Sequence, residues 1–96
     1  MDPCIVGGGV SLIDLANKYD TPLIVYDLNL IEENYRSIKN TLNAKVLYSI
    51  KANPNLAILA LLRKLGSGAD AASPGEIYLA IKAGFKASDV LYTGAY

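Results

Sequence analysis

Histidine is absent from this 96-residue sequence, and its absence excludes two kinds of site within the chain. A Ser-His-Asp or Cys-His site has no base here. The usual zinc site also lacks its ligands, because the single cysteine, Cys4, cannot replace them. A lone cysteine forms no disulfide within the chain, and such sparing use of cysteine is typical of a cytoplasmic protein. We therefore predict no metal site and a cytoplasmic location.

An excess of charge is also missing, since nine basic and nine acidic side chains balance. The basic residues are scattered, so no patch predicts binding to nucleic acid or to an anionic membrane. No apolar run reaches the roughly 18 residues of a membrane span. The first residues lack the basic and then apolar pattern of a signal peptide. We therefore expect neither nucleic acid nor a membrane as a partner.

Apolar residues, by contrast, are abundant and make up 52% of the sequence. A domain of this size buries only about 60% of the surface that its unfolded chain exposes. Much of the apolar surface should therefore need a partner, either a further part of the same chain or another subunit.

Residues 1–20 predict a leader followed by one short helix. The run Gly7-Gly8-Gly9 favours a mobile leader or a turn. A phosphate-binding glycine loop would need a preceding strand, and the sequence shows none there. Ser11 is the expected N-cap of a helix over residues 12–18. The inner face of that helix should carry Leu12, Leu15 and Ala16.

The next element begins at Thr21-Pro22, because a residue before proline avoids helical geometry. Residues 23–26 form an apolar run rich in β-branched side chains, which predicts a strand. Asp27 or Asn29 can then cap a helix. The apolar positions of that helix share one face: Ile31, Tyr35, Ile38 and Leu42.

Residues 45–96 alternate between short apolar strands and amphipathic helices. The strands are predicted at residues 46–50, 69–72 and 90–92. The first helix follows Asn53-Pro54-Asn55 and ends at Gly66, and the second opens at Ser73-Pro74 and ends at Gly84. Their inner faces should carry Leu56, Leu59, Leu62 and Leu65, and then Ile77, Ala80 and Ile81. This alternation predicts a parallel α/β sheet, either doubly wound or a barrel.

Polar side chains recur where the predicted strands end. Lys51 directly follows the first strand, Asp70 lies in the second with Ser73 behind it, and Thr93-Gly94 follow the third. The carboxyl ends of parallel strands lie on one side of the sheet, which is where α/β proteins form their sites. We therefore expect Lys51 and Ser73 to face the same mouth.

Each of these residues has a structural interpretation beside the functional one. Lys51 among apolar neighbours would be a nucleophile, because desolvation lowers the pKa of an amine. The structural alternative is a solvated lysine at a strand end, which is common. Asp70 in an alanine-rich strand needs a partner, whether functional or structural. Glu76 stands at the capping-box distance from Ser73 and complements the helix dipole, which favours a structural role. Tyr48, Tyr92 and Tyr96 favour packing.

Several of these segments together resemble one enzyme family. Tyr48-Ser49-Ile50-Lys51-Ala52-Asn53 is similar to the lysine signature of the fold-type III pyridoxal-phosphate (PLP) decarboxylases. The resemblance continues in order along the chain: residues 21–27, 66–76, 82–85 and 92–94. Within the family, Lys-Ala-Asn, Gly-Ala-Asp and Ser-x-Gly-Glu resemble the diaminopimelate decarboxylases, and Pro74 is a modest departure that suits a helix start.

The resemblance implies a (β/α)₈ TIM barrel followed by a C-terminal β-domain. Residues 21–96 would be the N-terminal part of the barrel, with about three of its strands. Lys51 would hold PLP covalently, and Asp70 and Glu76 would lie near its amine. The enzyme would convert meso-diaminopimelate to L-lysine and CO₂.

The resemblance also implies that the phosphate loop and the substrate-binding residues lie outside these 96 residues, and that the family's active site is shared across a homodimer. The chain alone should therefore be inactive. Two alternatives stay open: another fold-type III protein, such as an arginine or ornithine decarboxylase, and a non-catalytic chain that self-associates through an open sheet edge.

Overall fold

The computed structural model describes residues 5–6 and 9–94. Cys4, the first two glycines of the predicted leader and Tyr96 lie outside the described residues. Two short strands, β1 (Ile5–Val6) and β2 (Val10–Ser11), pair in antiparallel fashion. The sequence did not predict this pair. Gly9, just before β2, has a φ of +76°, a conformation that favours glycine.

Helix α1 (Leu12–Tyr19) follows directly, as predicted. Its N-cap is Ser11, whose Oγ accepts a hydrogen bond of 3.3 Å from the N–H of Asp14. The predicted inner face, Leu12, Leu15 and Ala16, is half-buried, and α1 contains no fully buried residue. This helix therefore covers little of the core.

The strand predicted at residues 23–26 is wrong for this structure. The segment has no regular secondary structure, and all four of its side chains are exposed, Ile24 to 79%. A β-strand exists only when its backbone pairs with a neighbour, and no described strand lies beside this segment. An apolar run with β propensity has therefore stayed unpaired.

Helix α2 (Leu28–Leu42) is capped by Asp27, the first of the two predicted caps. Asp27 Oδ1 accepts hydrogen bonds from the N–H groups of Asn29, at 3.0 Å, and Leu30, at 3.2 Å. Only half of the predicted apolar face is buried or half-buried. Tyr35 is buried and Ile31 half-buried, but Ile38 and Leu42 are exposed because no described element packs against the end of the helix.

The centre of the fold is a three-stranded parallel sheet, which confirms the predicted α/β alternation. Its strands are β3 (Leu47–Ser49), β4 (Gly68–Ala71) and β5 (Val90–Tyr92), in the order β3-β4-β5. Helix α3 (Leu56–Leu65) joins the first two strands, and α4 (Pro74–Lys82) joins the last two. The predicted first strand ends early, because residues Ile50–Ala52 form a 3₁₀ turn. A second 3₁₀ turn, Ala87–Asp89, precedes β5.

The two connecting helices begin where predicted, and the predicted cap Ser73 is confirmed. Asn55 caps α3 and Ser73 caps α4, and Gly66 ends α3 with a left-handed φ of 103°. Their inner faces differ in detail from the prediction. Ile58 is buried in place of the exposed Leu56, and Ile81 is 49% exposed.

Two groups of buried residues form the core. One lies between the sheet and the helices α3 and α4: Ile50, Leu59, Ala69, Ala71, Ala80 and Phe85. The other lies between α2 and α3: Tyr35, Ile58 and Leu62. The half-buried Tyr48 packs against both groups and so joins them. Among the described helices, none has the length and hydropathy needed to cross a membrane.

Candidate functional site

Successive side chains of strand β4 point to opposite faces of the sheet. Ala69 and Ala71 are fully buried against the helices, whereas Asp70 between them is half-buried and points to the opposite side. In the parallel register Asp70 lies between Ser49 of β3 and Leu91 of β5. These three residues mark the open face of the sheet, on which Leu91 is 50% exposed. A carboxylate is therefore held at the centre of an otherwise uncovered face.

Lys51 lies at the carboxyl end of β3, inside the 3₁₀ turn. The sequence predicted a lysine among apolar neighbours, but its side chain is exposed. Among the described residues it forms no ion pair, so neither Asp70 nor Glu76 is bonded to its amine. Its Nζ is thus an unengaged primary amine at the edge of the open face.

The backbone around Lys51 is fixed from both sides. Ile50 is fully buried in the core, and the N–H of Asn53 donates to its carbonyl at 3.1 Å. The hydroxyl of Tyr48 donates to the carbonyl of Asn53, also at 3.1 Å, so this bond spans the lysine. Burial, and to a lesser extent the proximity of Tyr26, raises the pKa of Tyr48 above its ordinary value. The predicted packing role of Tyr48 is confirmed, and the hydrogen bond adds to it.

Asp70 has a partner in Thr93, which the sequence placed at a strand end without predicting this contact. The hydroxyl of Thr93 donates a hydrogen bond of 2.6 Å to Asp70 Oδ1. The backbone of Thr93 is itself anchored, because its N–H donates to the carbonyl of Ala71 at 2.9 Å. The signal available in the sequence was a hydroxyl just after the strand that neighbours the one with the carboxylate.

Glu76 and Ser73 together build the turn between β4 and α4. Ser73 Oγ accepts a hydrogen bond of 3.2 Å from the N–H of Glu76, as expected for an N-cap. The capping box needs one correction. Glu76 Oε1 accepts from the N–H of Ala72, at 2.9 Å, and not from that of Ser73. The structure thus gives both residues a local structural bond.

Comparison with known proteins identifies a family for most of the chain. Residues 28–96 match the family model of the pyridoxal-dependent decarboxylases, for their pyridoxal binding domain. A diaminopimelate decarboxylase from Methanothermobacter thermautotrophicus is 47% identical over 92 residues, which cover 91% of this chain and 22% of that protein. The chain therefore spans about a fifth of the length of the curated relatives it matches.

Solved structures agree in fold. The structure of diaminopimelate decarboxylase from M. jannaschi superposes with a TM-score of 0.86 at 37% identity, over 90% of this chain and 22% of that one. A lysine decarboxylase from Selenomonas ruminantium gives 0.80 at 40% identity, over 84% and 22%. The predicted fold class, a part of the PLP-binding barrel, is confirmed. On the strength of the matched domain, this chain belongs to the family of pyridoxal-dependent decarboxylases.

Proposed function

We propose that this chain is the N-terminal part of a diaminopimelate decarboxylase, in which Lys51 binds PLP covalently. The complete enzyme would convert meso-diaminopimelate to L-lysine and CO₂. The observation that carries the proposal is the position of Lys51, an exposed primary amine at the carboxyl edge of a parallel sheet in a pyridoxal binding domain. That edge is where α/β proteins place their reactive groups.

The residues at this edge suit the aldehyde end of PLP. A primary amine condenses with an aldehyde, and Lys51 has no competing partner among the described residues. The turn that holds it is fixed by Ile50 and Tyr48, so the amine starts from a defined backbone. The bound cofactor supplies an electron sink for the charge left when CO₂ departs.

Asp70 is proposed to accept a hydrogen bond from the Lys51 ammonium when the substrate amine has displaced the lysine. Asp70 lies on the open face, and its Oδ2 has no partner among the described residues. Glu76 is proposed to lie near the cofactor as well. Its bond to Ala72 occupies Oε1 only, which leaves Oε2 available.

The rest of the barrel, the C-terminal β-domain and a homodimer belong to the same proposal. Its support is the amount of apolar surface that stays uncovered. A groove of about 370 Å³ lies between α2 and the free edge of β3, lined by apolar side chains that include Ile31, Ile38 and Val46. Further strands of a longer protein would fill this groove. Amino-acid binding, and a cytoplasmic location, are proposed for that longer protein.

Lysine decarboxylation is a second candidate, because the enzyme from Selenomonas ruminantium is 40% identical to this chain. Arginine and ornithine decarboxylation are further members of this alternative. Supplying the full-length protein separately with meso-diaminopimelate, L-lysine, L-ornithine and L-arginine would separate them. Release of L-lysine from meso-diaminopimelate alone supports the first proposal, and a diamine from L-lysine supports the second.

The proposed role of Lys51 is tested on the chain itself. It is incubated with PLP, reduced with borohydride and digested, and the labelled peptides are identified by mass spectrometry. We expect a single pyridoxyl group on Lys51 that is lost in Lys51→Ala. Lys64, exposed on α3, is the matched control, and Lys64→Ala should not reduce the label. Label spread evenly over Lys39, Lys64 and Lys82 would contradict the assignment.

A further inference from the structure

The hydrogen bond between Thr93 and Asp70 is the shortest polar contact described at the open face. Its length of 2.6 Å is typical of a hydroxyl that donates to a charged carboxylate. It joins two different strands, since Asp70 is in β4 and Thr93 follows β5. The backbone of Thr93 is held by the carbonyl of Ala71, so the hydroxyl approaches Asp70 from a fixed position.

Asp70 has one register partner in each of the two neighbouring strands. Ser49 is its partner on one side, and Leu91 is its partner on the other. Lys51 comes two residues after Ser49, and Thr93 comes two residues after Leu91. The carboxylate therefore lies between an amine and a hydroxyl that both follow the carboxyl ends of its neighbouring strands.

The two oxygens of Asp70 are in different situations. Oδ1 is held by Thr93, and Oδ2 has no hydrogen-bond partner among the described residues. The other acid near a strand end, Asp89, precedes β5 at the opposite edge and is paired with Lys45 at 3.3 Å. Of these two acids, Asp70 is thus the one that lies on the open face, in the strand next to the one that Lys51 follows.

From these relationships we infer that Thr93 is a positioning residue: it fixes the Asp70 carboxylate so that, when the exposed Lys51 side chain turns onto the open face in solution, Oδ2 accepts a hydrogen bond from its ammonium. The inference rests on the proposed function, because it assigns Lys51 and Asp70 to one site. Thr93 itself touches neither cofactor nor substrate in this scheme. It acts by removing the freedom of the Asp70 side chain to turn away.

The test follows the side-chain ammonium of Lys51 by ¹⁵N NMR in the complete chain, without PLP. A hydrogen bond slows the exchange of ammonium protons with water. We expect Thr93→Val and Asp70→Asn each to raise the exchange rate at Lys51 about fivefold, as the loss of one such bond predicts. Thr93→Ser keeps the hydroxyl and should stay within twofold of the unchanged chain.

Lys45 provides an internal control, because its partner Asp89 is at the opposite edge of the sheet. Its exchange rate should be the same in every variant, and the backbone amide spectrum shows whether each variant is folded. Thr93→Ala replaces Thr93→Val if the latter does not fold. A merely structural role of Thr93 would lower stability and leave the Lys51 signal unmoved.

Two results would overturn the inference. If Asp70→Asn changes the Lys51 exchange rate and Thr93→Val does not, the carboxylate needs no positioning by Thr93. If neither substitution changes it, Asp70 does not bind this amine. Since no cofactor is present, either result leaves the labelling of Lys51 by PLP standing, and a failure of labelling leaves this result standing.

Discussion

Glu76 Oε1 accepts a hydrogen bond of 2.9 Å from the backbone N–H of Ala72, four residues earlier in the chain. Because Ser73 Oγ accepts from the N–H of Glu76, the two side chains together satisfy two backbone donors at the junction of β4 and α4. This junction directly follows Asp70. These two hydrogen bonds therefore fix the backbone that directly follows the proposed site residue Asp70.

Replacement of Glu76 by alanine should lower the free energy of unfolding by about 1 kcal/mol, because a backbone donor loses its partner. Glu76→Gln keeps an oxygen at this position and should lose less. Urea denaturation followed by circular dichroism measures both. An unchanged midpoint for Glu76→Ala would show that the bond contributes nothing to stability, and would leave only the proposed role near the cofactor.

Replacement of Tyr48 by phenylalanine should alter the stability of the protein in alkali. The folded-state pKa of Tyr48 lies above the ordinary value of 10.0, chiefly because the side chain is partly buried. Its contribution to stability is therefore complete below pH 10 and is lost as the pH rises through the folded-state pKa. Tyr48→Phe removes this loss, so the stability of the variant should decline less steeply above pH 10.

The measurement is the urea midpoint of both proteins across the alkaline range. The two proteins differ only at position 48, so the difference between their midpoints reports on Tyr48. Equal slopes would mean that Tyr48 ionises as easily in the folded chain as in the unfolded one.

Replacement of Gly68 by alanine should be costly. A Cβ at this position would lie 2.7 Å from the backbone carbonyl oxygen of Asp89 and would also meet the side chain of Leu47. Because a backbone atom cannot move aside cheaply, we expect a loss of about 1–3 kcal/mol. Thermal unfolding measures the loss.

Gly75→Ala is the matched control, because a Cβ there meets nothing nearer than Ser73 Oγ at 3.8 Å. Gly75 lies in the first turn of α4, where alanine is the better helix former, so this variant should be as stable as the original or slightly more so. Equal effects at Gly68 and Gly75 would argue against a tight approach between β4 and the turn before β5.

Replacement of Ile24 by serine should change association more than stability. Ile24 is 79% exposed, so its removal should alter the free energy of unfolding by less than about 0.5 kcal/mol. It also breaks the apolar run of residues 23–26, which is available to pair with another chain. Light scattering at several concentrations should therefore show fewer oligomers for Ile24→Ser.

Leu59→Ala tests the opposite case. Leu59 is fully buried between the sheet and the helices, and its truncation should cost about 2–5 kcal/mol. Partly unfolded Leu59→Ala should associate more readily. If Ile24→Ser associates as strongly as the unchanged chain, the segment at residues 23–26 is not the contact.

Local signals were sufficient to predict most of the fold. The caps at Ser11, Asp27 and Ser73 and the parallel strand-helix alternation follow from short-range chemistry, and the structure confirms them. The errors lie where neighbours decide the outcome. Residues 23–26 have β propensity but no described partner strand. Ile38, Leu42 and Ile81 fall on apolar stripes that no described element covers.

The candidate site was predicted only in part, again because some of its contacts depend on neighbouring elements. The strand ends placed Lys51 and Asp70 at one sheet, but spacing alone could not give the bond from Thr93 to Asp70, which depends on the register of β4 with β5. The exposure of Lys51 could not be predicted either. It depends on what lies above the open face, and the described residues place nothing there.

The strand order β3-β4-β5 follows the order of synthesis. Each new strand can add to the one made just before it, with its connecting helix folding down at once, so this sheet can grow while the ribosome is still at work. Residues 23–26 are made earlier, and none of the described strands lies beside them. A nascent chain would therefore expose this apolar segment for longer than it exposes the strands of the sheet.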